Sequence, residues 1–274
     1  MNARAVPGDE LQNPLANSPT SQSFPALGPE QEGIFRQAIT TLDAAGIPFL
    51  IAGAFACHAH SGAWRNTKDL DLFLLPDDVH AALDALAAAG FEIELRDPHW
   101  LAKAWKKGYL IDLIFGLGNR AMHIDESWIE RATVVDFCGT KARLLSIEDL
   151  IASKMYIAAR DRFDGADLAH LILSRRGRLD WDRVLELMGE SRGLVLWHLL
   201  LFAYLYPDHR DSLPLDLMDQ LVEEARREWR RGPGLGRSSR GPLLDPVAFA
   251  VDIQDWGYDD PRPDGRPIRR RGEA

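Results

Sequence analysis

The chain has 274 residues and a formal net charge of −9, with 46% apolar and 27% charged residues. That is enough apolar material for one large core or two modest ones, which excludes a wholly disordered or collagen-like chain. The acidic balance gives no global field for a long polyanion or an anionic membrane, and two cysteines, Cys57 and Cys138, exclude a disulfide scaffold or a Cys-rich zinc site.

Residues 1–28 are rich in Pro, Ser, Asn and Gln and are expected to form a disordered tail, with no apolar core of the kind a signal peptide needs. Phe35, Ile39 and Leu42 recur at helical spacing, and Gly46 is a plausible stop. Residues 48–53 (PFLIAG) read as a short buried strand and 68–75 (KDLDLFLL) as an alternating one. A helix over 77–89 follows, closed by a left-handed cap at Gly90. Strands are expected at 91–95 and 109–115, with Trp100 and Trp105 in a loop or short helix between them. Residues 133–137 and 140–145 suit a hairpin around Cys138-Gly139. Ser146, with Asp149 three residues on, marks a capped helix. Helices are expected over 147–161, 164–174, 180–189, 192–206 and 215–231, and the apolar run 194–206 is too short to span a bilayer. From 232 Gly, Pro and Arg dominate, which predicts a largely disordered tail over 232–274. The expected class is therefore α/β (α+β): a core over 29–145 with a small mixed sheet flanked by helices, then an all-α region over 146–231. A cytoplasmic protein is expected.

The chemistry concentrates in 51–74 (IAGAFACHAHSGAWRNTKDLDLFL). On a strand, Asp69 and Asp71 point to one face while Leu70 and Leu72 point to the other. Two carboxylates so placed suit a hard divalent cation. Asp112 sits in the otherwise apolar YLIDLIF, where a lone buried carboxylate costs several kcal/mol unless paired or bound to metal. A sheet that sets Asp112 beside Asp69 and Asp71 makes a three-carboxylate cluster. Each residue also has a plainer reading: a D-x-D alone is most often a solvated face, and Asp112 is equally a strand-end partner of an Arg or Lys. Gly53-Ala54 closes a strand and opens a helix, where backbone N–H groups approach an anion. Arg65 divides between a phosphate contact and an ion pair. His58 and His60, two apart, do not share a helix face and do not suggest a metal site.

Taken together, these residues resemble the DNA polymerase β-like nucleotidyltransferase superfamily: a strand, a small-residue turn, a helix, a D-x-D strand and a third acid on a later strand. The stretch HSGAWRNTKDLD, 60–71, is similar to that of the small bacterial branch, which includes antibiotic nucleotidyltransferases and AbiEii-like toxins of toxin–antitoxin pairs. A second block, 146–173 (SIEDLIASKMYIAARDRFDGADLAHLIL), resembles the helical segment that follows the core in those proteins. The likeness covers about 31–175. It departs from the pattern at Ala54, where a second Gly or Ser is usual, and at the extra Ser61. The resemblance implies a nucleotidyltransferase in which Asp69, Asp71 and Asp112 are catalytic and bind two Mg²⁺ ions, with Mn²⁺ as a substitute. It implies nucleotide binding by Gly53, Ala54, Arg65 and Lys154, with Asp164 or Asp161 supporting the lysine. The partners implied are an NTP, foremost ATP, and an acceptor. That acceptor is a small molecule, cationic by charge complementarity, or RNA or protein in a toxin. A catalytically silent module of the same fold is the competing reading.

Overall fold

A computed structural model describes residues 24, 27–232 and 236–263. The expected tail over 1–28 therefore lies almost wholly outside the described residues, as do 264–274. The first half comprises α1 (Pro29–Ala44), β1 (Phe49–Ile51), α2 (Gly53–Ser61), β2 (Asp69–Leu74), α3 (Val79–Ala88), β3 (Glu92–Asp97), β4 (Leu101–Lys106) and β5 (Tyr109–Ile114). It continues through α4 (Glu126–Glu130), β6 (Thr133–Phe137) and β7 (Thr140–Leu144). The helices α5 (Ile147–Met155), α6 (Gly165–Arg175), α7 (Trp181–Met188), α8 (Arg192–Leu205) and α9 (Leu215–Arg230) follow, with a short α10 (Ala250–Gln254).

All seven strands form one mixed sheet in the order β3-β4-β5-β2-β1-β7-β6. β2 runs parallel to β5, and β1 parallel to β7, while the other neighbours are antiparallel. Alternation divides the central strands. Leu70, Leu72, Ile111, Leu113, Ala102 and Ala104 are fully buried on one face. The opposite face carries Asp69, Asp71, Asp112 and Lys103, which are half-buried. A one-residue slip would exchange the two sets, so the apolar row fixes the register that gathers the acids. One buried cluster runs from Ile34 to Leu221 and joins the sheet to the helices after it.

Three expectations need correction. Trp100 lies in the expected loop, a turn over 98–100, but Trp105 does not: Leu101–Lys106 is a full strand, and Trp105 belongs to it. Its core face is built from alanines, and the turn to β5 is Lys107-Gly108, both at positive φ, the backbone of a two-residue hairpin without the usual Asn-Gly. Secondly, the helix expected to reach 161 ends at Met155. Residues 156–164 fold back as a narrow loop in which the Asp164 N–H donates to Ile157 O at 3.1 Å and Ala158 bridges Phe163. Thirdly, the stretch expected to lack structure from 232 contains α10 and a short helical turn at Gly241–Leu243. Asp245 accepts the backbone N–H groups of Arg160, Val247 and Ala248, and Asn119 Nδ2 donates to Leu243 O, so side chains hold a segment whose composition reads as a tail. Among the described residues, no helix is long and apolar enough to cross a membrane.

Candidate active site

The sheet brings the three acids together. Asp71 is the register partner of Asp112 across the parallel pair β2–β5, and Asp69 lies two residues back on the same face. Adjacent strands are about 4.8 Å apart, so the carboxyl groups of Asp71 and Asp112 start from neighbouring positions. Burial and the nearby Asp112 charge push Asp71 up to about 6, although Lys154 and Arg162 pull the other way. Asp69 is raised by burial and then by Asp112, against Lys103 and Lys68. Like charges in a partly desolvated site disfavour one another's ionised form.

The turn before α2 is fitted to Asp71. The Ala52 N–H donates to Asp71 O at 2.9 Å, which ties the end of β1 to β2. Gly53 has φ +55°, and a Cβ there would stand 1.7 Å from Asp71 Oδ2. The carboxylate therefore packs onto the glycine backbone at the first residue of a nine-residue helix whose N-terminus has no side-chain cap. Ala54 is buried beside it. The sequence reading valued this glycine for an incoming anion; the structure adds that Asp71 itself needs the space.

Behind the acids lies a charged cluster from the helical half. Lys154, 3% exposed, donates to Asp164 Oδ2 and, at 2.8 Å, to Asp167 Oδ2. Burial alone would lower the lysine, but Cys57, Asp164 and Asp167 reverse this and hold it raised. Burial would raise Asp164, yet Lys154 and Arg162 bring it below the usual carboxylate range. Arg65 reaches Asp167 at 3.3 Å and Arg162 reaches Asp164 at 3.3 Å, and both guanidinium side chains are more than half exposed. Arg65 thus makes an ion pair and keeps an exposed flank, while Asp161 lies exposed at the tip of the 156–164 loop. His60 is structural: Arg175 donates to its Nδ1 at 2.9 Å, which makes Nε2 the protonated nitrogen and a donor to Leu145 O at 2.7 Å. Burial pushes His60 down to about 4.

Three residues escaped the sequence reading. Asp167 completes the Lys154 cluster, and its signal was the i,i+3 spacing from Asp164 on a helix start. Arg162 acts electrostatically on Asp71 from the 156–164 loop, just past the expected helix end at 161. Lys103 donates to Asp112 Oδ1 at 2.8 Å from the strand that was missed.

The acids offer the hard oxygen donors that a divalent cation takes, with two of them in register and a third on the same face. They fit such an ion by donor chemistry. No group of three His, Cys, Asp or Glu side chains among the described residues is already arranged to hold a metal ion, and Asp112 is turned instead onto Lys103.

Residues 30–205 match a family described as an uncharacterised nucleotidyltransferase. The chain belongs to this nucleotidyltransferase family. Its likeness to the DNA polymerase β-like superfamily, carried in the sequence by the two blocks above, is thereby upheld. Solved structures similar to it include the antibiotic-resistance factor ANT(2'')-Ia, 21% identical over 63% of this chain and 97% of that one, with a TM-score of 0.44. A nucleotidyltransferase-like antigen from Paracoccidioides brasiliensis is 19% identical over 67% of this chain and 91% of that one, with a TM-score of 0.42. The lincosamide adenylyltransferase LnuA, bound to lincomycin, is 15% identical over 52% of this chain and 95% of that one, with a TM-score of 0.38. No protein of curated function matches the chain.

Proposed function

We propose that this nucleotidyltransferase moves a nucleoside monophosphate from an NTP, ATP first among them, to a hydroxyl of a small acceptor, with Mg²⁺ held by Asp69, Asp71 and Asp112. The observation that carries the reading is the register of Asp71 with Asp112 on neighbouring strands, directly over the Gly53 turn. Bound there, divalent cations would offset the charge of the phosphates and of the acceptor oxygen.

The chain's own residues supply the rest. Backbone N–H groups at Gly53 and Ala54 meet the polyphosphate at the start of α2, where the helix dipole favours negative charge. The exposed flanks of Arg65 and Arg162 orient it, each anchored through an acid that Lys154 holds. In this reading Lys154, expected on the triphosphate, acts mainly through Asp164 and Asp167. The acceptor oxygen bonds to the α-phosphorus, the bond to the β-phosphate bridge breaks, and pyrophosphate leaves with both electrons of that bond. Asp112, on the open side of the sheet, takes the hydroxyl proton. The acid-rich face beside Trp105 suits a cationic acceptor, and its register partners are Leu110 and the exposed Glu92.

The test is pyrophosphate release from each NTP with Mg²⁺, across acceptors that differ in charge. Release that requires an acceptor hydroxyl and is abolished by Asp71→Asn supports the reading. Release that survives Asp71→Asn refutes the site.

A further inference from the structure

Lys103 occupies a row that the sheet dictates. Asp71 pairs with Asp112, and Asp112 with Lys103, across three adjacent strands, so all three side chains leave the same face. Ala102 and Ala104, which flank Lys103, are fully buried on the other face. A slip of one residue would put the ammonium into the core, so its position beside the acids is fixed. Nζ lies 2.8 Å from Asp112 Oδ1, and the two side chains are only 24% and 18% exposed. The lysine also acts on Asp69, with Lys68. The next residue along its row, Glu94, is exposed and pairs with Arg96 at 3.1 Å.

We infer that Lys103 is a built-in counter-cation of the acid cluster: it holds Asp112 in the nucleotide-free protein and gives way when a divalent cation arrives with the polyphosphate. The inference rests on the metal-dependent reading above. On the open face of the sheet this ammonium offsets part of the mutual repulsion of Asp112 and Asp69, as Lys154 and Arg162 do for Asp71. The same ammonium occupies an oxygen of Asp112 and repels a second positive charge there. A metal ion alone is therefore held weakly, whereas a nucleotide brings negative charge that favours the ion and draws the lysine off. Lys103 is thus a positioning residue that couples metal loading to nucleotide.

The measurement is Mn²⁺ binding to the full chain without nucleotide, followed through the electron paramagnetic resonance of the free ion. Lys103→Met should bind Mn²⁺ roughly tenfold more tightly than the wild type, since a unit charge a few ångströms away is removed. Lys103→Arg should behave as the wild type, and adding Asp112→Asn to Lys103→Met should cancel the gain. A Lys103→Met affinity equal to or weaker than that of the wild type overturns the inference, provided wild-type binding is lost in Asp69→Asn/Asp71→Asn. Wild-type binding that persists in that double variant overturns the underlying metal site instead. The wild type gives a second readout that needs no altered fold. The Lys103 ammonium resonance of ¹⁵N-lysine protein should move from hydrogen-bonded to free on adding Mg²⁺ with ATP, and an unmoved resonance overturns the inference.

Discussion

Replacing Gly53 by alanine tests the tie between the turn and the acids. At φ +55° an L residue pays about 1–2 kcal/mol for the left-handed backbone. The new Cβ would also meet Asp71 Oδ2 at 1.7 Å, Cγ at 2.5 Å and Cβ at 2.9 Å. Rotating Asp71 about its Cα–Cβ bond relieves the first two overlaps but not the third, so a backbone must move. That backbone is fixed by the Ala52 N–H to Asp71 O bond and by the β2–β5 register. Forced overpacking of this kind costs about 1–3 kcal/mol, which brings the total to roughly 2–5 kcal/mol. Gly46→Ala is the control: its φ is +70°, but a Cβ there meets nothing within 4 Å. It should lose only the backbone share, about 1–2 kcal/mol. Urea unfolding monitored by tryptophan fluorescence separates the two, and Mg²⁺-dependent stabilisation by nucleotide reads the site. Gly53→Ala should lose stability beyond Gly46→Ala and should lose the nucleotide response, which Gly46→Ala keeps. Equal losses in both variants, with the nucleotide response intact, refute the reasoning.

Lys154→Met leaves Asp164 and Asp167 without their buried cation and should cost about 3–5 kcal/mol in urea unfolding; a loss below 1 kcal/mol would show the cluster to be dispensable. Arg162→Gln removes a largely exposed guanidinium, so it should weaken nucleotide binding about tenfold in calorimetry while moving the unfolding midpoint little; the opposite pattern would make Arg162 a structural residue. His60 is neutral when folded and protonates near 4, whereas an unfolded histidine protonates near 6.5, so the unfolded chain binds more protons between those values. Its contribution to stability is whole above about 6.5 and is lost as pH falls towards 4, by about 3 kcal/mol in all. Asp71, raised to about 6, gives the opposite slope, so the comparison is between wild type and His60→Gln. The variant should show the shallower acid loss between pH 7 and 4.5 in urea unfolding, and parallel curves would contradict the assignment.

The acid constellation was legible because alternation is a local property: D-x-D on a strand fixes a shared face whatever the strand pairs with. The in-register partnership of Asp71 and Asp112 was not, since strands distant in sequence meet according to topology. β4 was hidden because its core face is Ala102 and Ala104, too weakly apolar to mark alternation, and because Lys107-Gly108 lacks the usual hairpin signature. With β4 went Lys103, which answers the cost of burying Asp112 without any metal. Asp167, the second acid on Lys154, sits one helical turn past Asp164. The narrow loop before it places Arg162 towards Asp71, and a helix running on to 161 would not have done so.

Thermal unfolding with Mg²⁺ and each NTP, for the wild type and Asp69→Asn/Asp71→Asn, tests the central claim most directly. At a hundred times its Kd a nucleotide stabilises the fold by about 2.7 kcal/mol. The account predicts that shift in the wild type, dependent on Mg²⁺ and absent from the double variant. Nucleotide stabilisation that is equal in both proteins, or independent of Mg²⁺, would contradict it.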